Sequence, residues 1–324
     1  AYAAGGVPAG EVPAFSNLNL TAQGQVRPNL AIVPVADDGA IEVFTSAASE
    51  VLVDVTGWFE DVFCVAAAGR FVPVDVARVF DSREGEAAPG PKGHLAAGQK
   101  VTVQIAGAGG VPTDGVSAVA LAVVATNTDA PGFVTVAPAI AGTPATSLIN
   151  LNGAGETAPN SVLTPLSPAG TVDVYVSGGA DVAIDVSGYF TDDTAEESGS
   201  GLFVPVDPTR IFDSRPDTEA PGPKGLIANN GQVTVALGGV GPLPSLGVAA
   251  LAVNLGAVAG ELPGFATAWS GETASPDASS VNFAANDVRS AAGIVPVSAS
   301  SMNFRLRVLN STHLFADVSG YFAT

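Results

Sequence analysis

The chain is poor in the residues that usually carry chemistry. Among 324 residues there are one cysteine (Cys64), two histidines (His94 and His313), one methionine and two tryptophans. A single thiol excludes any intrachain disulfide, and with it a small scaffold stapled by disulfides. Cys64 reads as a small buried apolar residue, with an intermolecular bridge as the alternative. Neither histidine has another histidine, a cysteine or an acid at metal-ligand spacing. No G-x-S-x-G, EF-hand or phosphate-loop pattern occurs. The longest apolar run, "VSAVALAVVA" at Val116–Ala125, is about half of what spans a bilayer and reads as a buried strand. No secretory signal is seen; the opening "AYAAGG" reads as the residues left after a small-residue cleavage site. Basic residues are scarce: 12 Lys and Arg face 31 Asp and Glu, for a net charge of −19. Such a surface repels phosphate backbones and anionic membranes, so nucleic acid and membrane insertion are not expected.

What the chain has instead is repetition. "DVSGYF" at Asp185–Phe190 returns unchanged at Asp317–Phe322, and a near copy, "DVTGWF", stands at Asp54–Phe59. "FVPVDVARVFDSR" at Phe71–Arg83 is echoed by "FVPVDPTRIFDSR" at Phe203–Arg215, and "APGPKG" at Ala88 recurs at Ala220. "SNLNL", "SLINL" and "SSVNF" begin at Ser16, Ser147 and Ser279, each followed by a proline, Pro34, Pro165 and Pro296. The step is about 131 residues, and such a period decides the architecture before any local reading. Each repeat has two halves. Half A opens on the F-V-P-V-D run, and half B closes on the D-V-x-G-aromatic-Phe ending. The order is B-A-B-A-B, so residues 1–59 form a half module without an A. Complete modules are expected at 71–190 and 203–322, with linkers at 60–70 and 191–202.

The local pattern is of strands. Val182, Ile184, Val186, Gly188 and Phe190 alternate with Ala183, Asp185, Ser187 and Tyr189, the period of a strand with one buried face. This places Phe190 and Phe322 in the core and Tyr189 and Tyr321 on the more exposed face. "TVDVYV" at Thr171–Val176 is separated from the ending by "SGGAD", which suits a hairpin. The recurrent proline marks an edge or bulged strand. Eight or nine short strands per period predict an all-β fold of tandem β-sandwich or jelly-roll-like modules. The chain from "VDPTRIFDSRP" through "SNLN" to "DVSGYF" resembles a tandem module of secreted and cell-surface proteins of high-GC Gram-positive bacteria. That resemblance implies an extracellular, wall-associated setting and a binding or structural role, with no catalytic motif to carry over.

Candidate sites follow from residue types. Asp54–Trp58, Asp185–Tyr189 and Asp317–Tyr321 pair an acid with an aromatic on the face away from the core, the chemistry that stacks on a sugar and accepts its hydroxyl protons; the competing reading is a strand-end anchor. Asp81–Arg83 and Asp213–Arg215 read as structural ion pairs, and a carboxylate clamp is the alternative. A calcium ion would need the acids Asp37 and Asp38 of "ADDGAIE"; otherwise no cofactor or metal is expected. The expected function is a non-enzymatic structural or adhesive surface protein, self-associating into a filament or layer through the orphan half. A carbohydrate- or wall-binding region of a larger secreted hydrolase is the alternative.

Overall fold

The structure is a computed structural model. It describes all residues except 5, 6, 9, 10, 12, 14, 61–64 and 259, so Cys64 lies outside the described residues. Among those described, regular structure is all strand, and no helix is long and apolar enough to cross a membrane. The described residues of 1–59 hold two short strands, β1 (Tyr2–Ala3) and β2 (Ile41–Glu42), paired antiparallel. The first complete module has β3 (Phe71–Asp81), β4 (Gln99–Gln104), β5 (Val116–Thr126), β6 (Gly132–Ala137), β7 (Ile149–Leu151), β8 (Ala158–Pro165), β9 (Thr171–Val176) and β10 (Asp181–Thr191). The second repeats it with β11 (Phe203–Asp213), β12 (Gln232–Ala236), β13 (Val248–Val258), β14 (Gly264–Trp269), β15 (Val281–Phe283), β16 (Val288–Pro296), β17 (Asn303–Leu309) and β18 (His313–Ala323).

Each module is a sandwich of two four-stranded antiparallel sheets. The orders are β3-β10-β5-β8 over β4-β9-β6-β7, and β11-β18-β13-β16 over β12-β17-β14-β15. The D-V-x-G-aromatic-Phe ending is thus a central strand, flanked on both sides by strands of half A. Pro165 and Pro296 lie on β8 and β16, both sheet edges, where a missing N–H costs no ladder bond. The hairpin expected across "SGGAD" does not form: β9 and β10 belong to opposite sheets, and Ser177–Asp181 carries the chain across the core.

Alternation explains the cores. In β5, Val119, Leu121, Val123 and Ala125 point inward and meet Val172, Val174 and Val176 of β9. On the other face β5 shows Ala118 and Ala120, which join a separate cluster with Phe71, Phe190, Ala250, Ile294 and Phe322. This second cluster joins the modules, and its small alanines let two sheets approach closely.

The faces of the ending differ from strict alternation. Against β5, Val186 pairs with Leu121 and Gly188 with Ala120, so Ser187 is an extra residue, a β-bulge. Ser319 is the extra residue of β18. The bulge flips parity. Tyr189 and Tyr321 pack half-buried on the module cores, while Phe190 and Phe322 turn outward and are buried between modules. Both phenylalanines are buried as expected, but on the opposite face.

Residues 1–59 do not build half a sandwich. Residues 15–34 form a strap that doubles back at a turn over Ala22–Gly24 and lies between the modules. Asn29 accepts from the Ala292 N–H at 2.8 Å and donates to Asn254 Oδ1 at 3.1 Å, while the Leu30 N–H donates to Asn160 Oδ1 at 3.3 Å. Arg27 binds Asp287 at 3.1 Å with both side chains nearly buried. The strap keeps one contact of a true half B: the Asn29 amide donates to the Asn17 carbonyl, as its repeat equivalent Asn160 does to Leu148 at 2.7 Å. The linkers are laced rather than loose. Ala66 and Ser198 exchange two backbone hydrogen bonds, and the Arg70 guanidinium donates to the Glu196 and Ser200 carbonyls.

Candidate functional site

Three groups of residues stand out in this frame: a duplicated Arg–Asp network, a hub of phenylalanines, and an exposed apolar strip ending in that hub.

In the network, Arg78 of β3 forks onto Asp185 of β10, with Nε–Oδ1 at 2.6 Å and Nη2–Oδ2 at 3.1 Å, and reaches Asp81 through Nη1 at 2.8 Å. Arg83 closes on Asp81 at 2.6 Å. Arg210, Asp317, Asp213 and Arg215 repeat the arrangement. Burial pushes the Asp81 and Asp213 carboxyls up, but hydrogen bonds from Arg83 and Arg215, with the neighbouring arginine charges, outweigh it and hold both below the usual range. At Asp185 burial wins, and its carboxyl is raised despite Arg78. Arg78 also donates to the Asp277 carbonyl of the second module at 2.8 Å, tying the network to the joint.

The sequence pairing of Asp185 with Tyr189 and of Asp317 with Tyr321 does not occur. The two aspartates are buried and held by arginines, and the bulge sends the tyrosines to the opposite face. The Asp81–Arg83 and Asp213–Arg215 pairs are present at 2.6 Å. Arg78 and Arg210, the main partners of the ending, were missed. Their signal, the Arg of V-D-x-x-R-x-F-D, lies three positions from Asp81 and Asp213; regular alternation puts residues three apart on opposite faces, and register shifts in the pairing with β10 and β18 bring them together.

The hub gathers five rings: the ends of all three half B copies, Phe59, Phe190 and Phe322, and the starts of both half A copies, Phe71 and Phe203. Phe190 lies 5.2 Å from Phe71 and Phe322 lies 5.1 Å from Phe203, centroid to centroid. Phe59 stacks on Phe203 at 4.4 Å.

The strip leads into Phe59. Among the described residues, twelve of the seventeen exposed large apolar side chains lie within residues 18–58. Val51, Val53 and Val55 are 52%, 60% and 81% exposed, whereas their repeat equivalents Val182, Ile184 and Val186 are each 0%. Trp58 is 80% exposed, its indole N–H 3.3 Å from Glu60 Oε1. Asp54 is exposed, and among the described residues no cation lies within salt-bridge distance of it.

The histidines sit apart. His94 bridges Asp129 at 3.0 Å and Asp181 at 3.3 Å. In the second module Leu226 replaces His94 and His313 replaces Asp181, so the cluster is not shared. His313 Nδ1 lies 3.2 Å from the buried Ser214 hydroxyl, which also accepts the Leu314 N–H. Asp37 and Asp38 are exposed in a turn, and Asp38 accepts the Ala40 N–H at 3.1 Å. Among the described residues no group of three or more His, Cys, Asp or Glu is placed to hold a metal ion. The cavity between Leu30–Pro34 and Ala252–Asn254 has room for a water or two and none for a sugar ring.

No protein-family model matches the chain, and no curated protein does. Solved structures give remote likenesses. One is the atomic structure of Sulfolobus Turreted Icosahedral Virus, 8% identical, over 79% of this chain and 91% of that one, at a TM-score of 0.20. Another is the N-terminal CBM22-1-CBM22-2 tandem domain from Paenibacillus barcinonensis Xyn10C, 12% identical, over 81% and 100%, at 0.19. A third is oxalate decarboxylase from Bacillus subtilis, 11% identical, over 76% of each chain, at 0.17. At such scores none of them bears on function.

Proposed function

We propose that this chain is a non-enzymatic structural or adhesive protein of the cell exterior, in which residues 43–58 dock onto another polypeptide by strand addition. The observation that carries this reading is the strip Val51–Trp58: it is a near copy of a buried central strand of each module and stands in solvent. Open, alternating apolar strands seek a partner. Self-association through the strip, against a sheet edge of a second copy, is a head-to-tail contact, which builds a filament where its rotation does not close. The paired sandwiches supply a stiff body, joined by the hub and tied by the strap. The extracellular, wall-associated setting rests on the module resemblance.

The test is sedimentation and electron microscopy of the intact chain over a range of concentrations, beside Val53→Lys/Val55→Lys and a chain lacking residues 1–59. Concentration-dependent particles or filaments from the intact chain only are expected. A strict monomer, unchanged in size and stability by the deletion, would end the assembly reading.

Trp58 supports a second reading, binding of glycan by a single exposed indole. A glycan array with Trp58→Ala as control separates it from docking, since the charged double variant leaves the indole in place.

A further inference from the structure

The strip carries more than general stickiness. Three features of Val51–Phe59 match what half A supplies to the other two endings. The first is Gly57. A Cβ on Gly188 would clash with the edge of the Phe71 ring at 2.2 Å, 2.7 Å from the Val72 carbonyl, and one on Gly320 with the edge of the Phe203 ring at 2.2 Å, 2.9 Å from the Val204 carbonyl. In both modules this glycine is the slot for the opening phenylalanine of half A. At Gly57 nothing among the described residues lies within 4 Å. The second is Asp54, whose equivalents each grip the arginine of V-D-x-x-R. The third is the hub, where Phe190 and Phe322 each have the phenylalanine of their own half A beside them, while Phe59 leans on the borrowed ring of Phe203.

We infer that the partner of residues 51–59 is a half A strand of the form F-V-P-V-D-x-x-R-x-F-D-S-R, not already matched to a half B. This rests on the reading of the strip as a docking strand and names its occupant. The register follows from the pairing Phe71↔Phe190, Pro73↔Gly188 and Arg78↔Asp185, repeated as Phe203↔Phe322, Pro205↔Gly320 and Arg210↔Asp317. The incoming strand therefore sets its phenylalanine opposite Phe59 as a sixth ring, its proline opposite Gly57, and its arginine on Asp54. Both half A copies of this chain are held by their own endings, so an intact second copy offers only an edge strand. An edge can ladder with the strip but brings neither the ring for the slot nor the guanidinium for Asp54.

The experiment adds a synthetic peptide with the sequence of residues 203–215 to the full-length chain and follows tryptophan emission. Trp58 reports the strip, while Trp269, 2% exposed, is a constant background. A saturable shift to shorter wavelength and protection of Trp58 from acrylamide are expected. The peptide carrying Arg210→Ala, and the chain carrying Asp54→Asn, should each bind at least tenfold more weakly. Gly57→Ala should leave the free chain's melting temperature unchanged and weaken capture at least tenfold. No shift at saturating peptide, or equal binding by a scrambled peptide or by the Gly57→Ala chain, overturns the inference. If Trp58 becomes protected on raising the chain's own concentration while the peptide does nothing, the docking reading stands and this occupant is wrong. If neither protects Trp58, both fall.

Discussion

Arg78 and Asp185 lock together across neighbouring strands, with Nε–Oδ1 at 2.6 Å and Nη2–Oδ2 at 3.1 Å, and Arg210 repeats the fork on Asp317 at 2.7 and 2.9 Å. Asp185 is 1% exposed, so removing its arginine strands a buried charge. Arg78→Ala should cost about 3–5 kcal/mol, the range for breaking a buried pair. Asp185→Asn in the same chain should recover part of it, because the orphaned carboxylate is gone. Denaturant unfolding of the single and double variants measures both; equal losses would mean that the pair contributes little.

The endings predict a joint that fails before the modules do. Phe322→Ala and Phe190→Ala should each cost roughly 3–5 kcal/mol. Because both rings lie between modules, proteolysis at 191–202 should accelerate as well. Tyr321→Phe, on the core face, should leave that cleavage rate alone. An unmoved melting temperature in Phe322→Ala would contradict the hub.

Glycine at the bulge can be tested by one methyl group. Gly188→Ala and Gly320→Ala drive a Cβ into the ring of Phe71 or Phe203 and should destabilise by about 1–3 kcal/mol, the usual cost of overpacking. The same change at Gly57 meets open space. Three thermal melts decide the point.

Acid should unfold the chain from a definite side. Asp81, Asp173, Asp213 and Asp287 all have carboxyls held low. At each, burial pushes up but is outweighed, by hydrogen bonds from Arg83 at Asp81, from Thr102 and Lys100 at Asp173 and from Arg215 at Asp213, and by the charges of Arg27 and Arg289 at Asp287. A depressed folded pKa stabilises fully above the unfolded value, about 3.9, and the contribution is lost as pH falls through the folded one. Asp185, raised by burial, works in the opposite direction. The melting temperature should be level near neutrality and fall below about pH 4. Asp81→Asn with Asp213→Asn should flatten that fall while lowering stability at neutral pH.

The sequence by itself determined the repeat and the all-β modules. A period of about 131 residues and side chains alternating every second position survive any detail of packing. It also showed three copies of the half B ending, since counting motifs needs no coordinates. Only the tertiary structure decided which way the endings face. One extra residue, Ser187 or Ser319, flips the parity that alternation assumes, and a bulge is a property of two paired strands, unreadable from either alone. For the same reason Asp185 left Tyr189 and found Arg78 on a strand distant in sequence. The meeting of Phe59, Phe71, Phe190, Phe203 and Phe322 in one hub was decided there too, because it depends on how two finished sandwiches stack, and the faces that stack become visible only once each core has claimed the other.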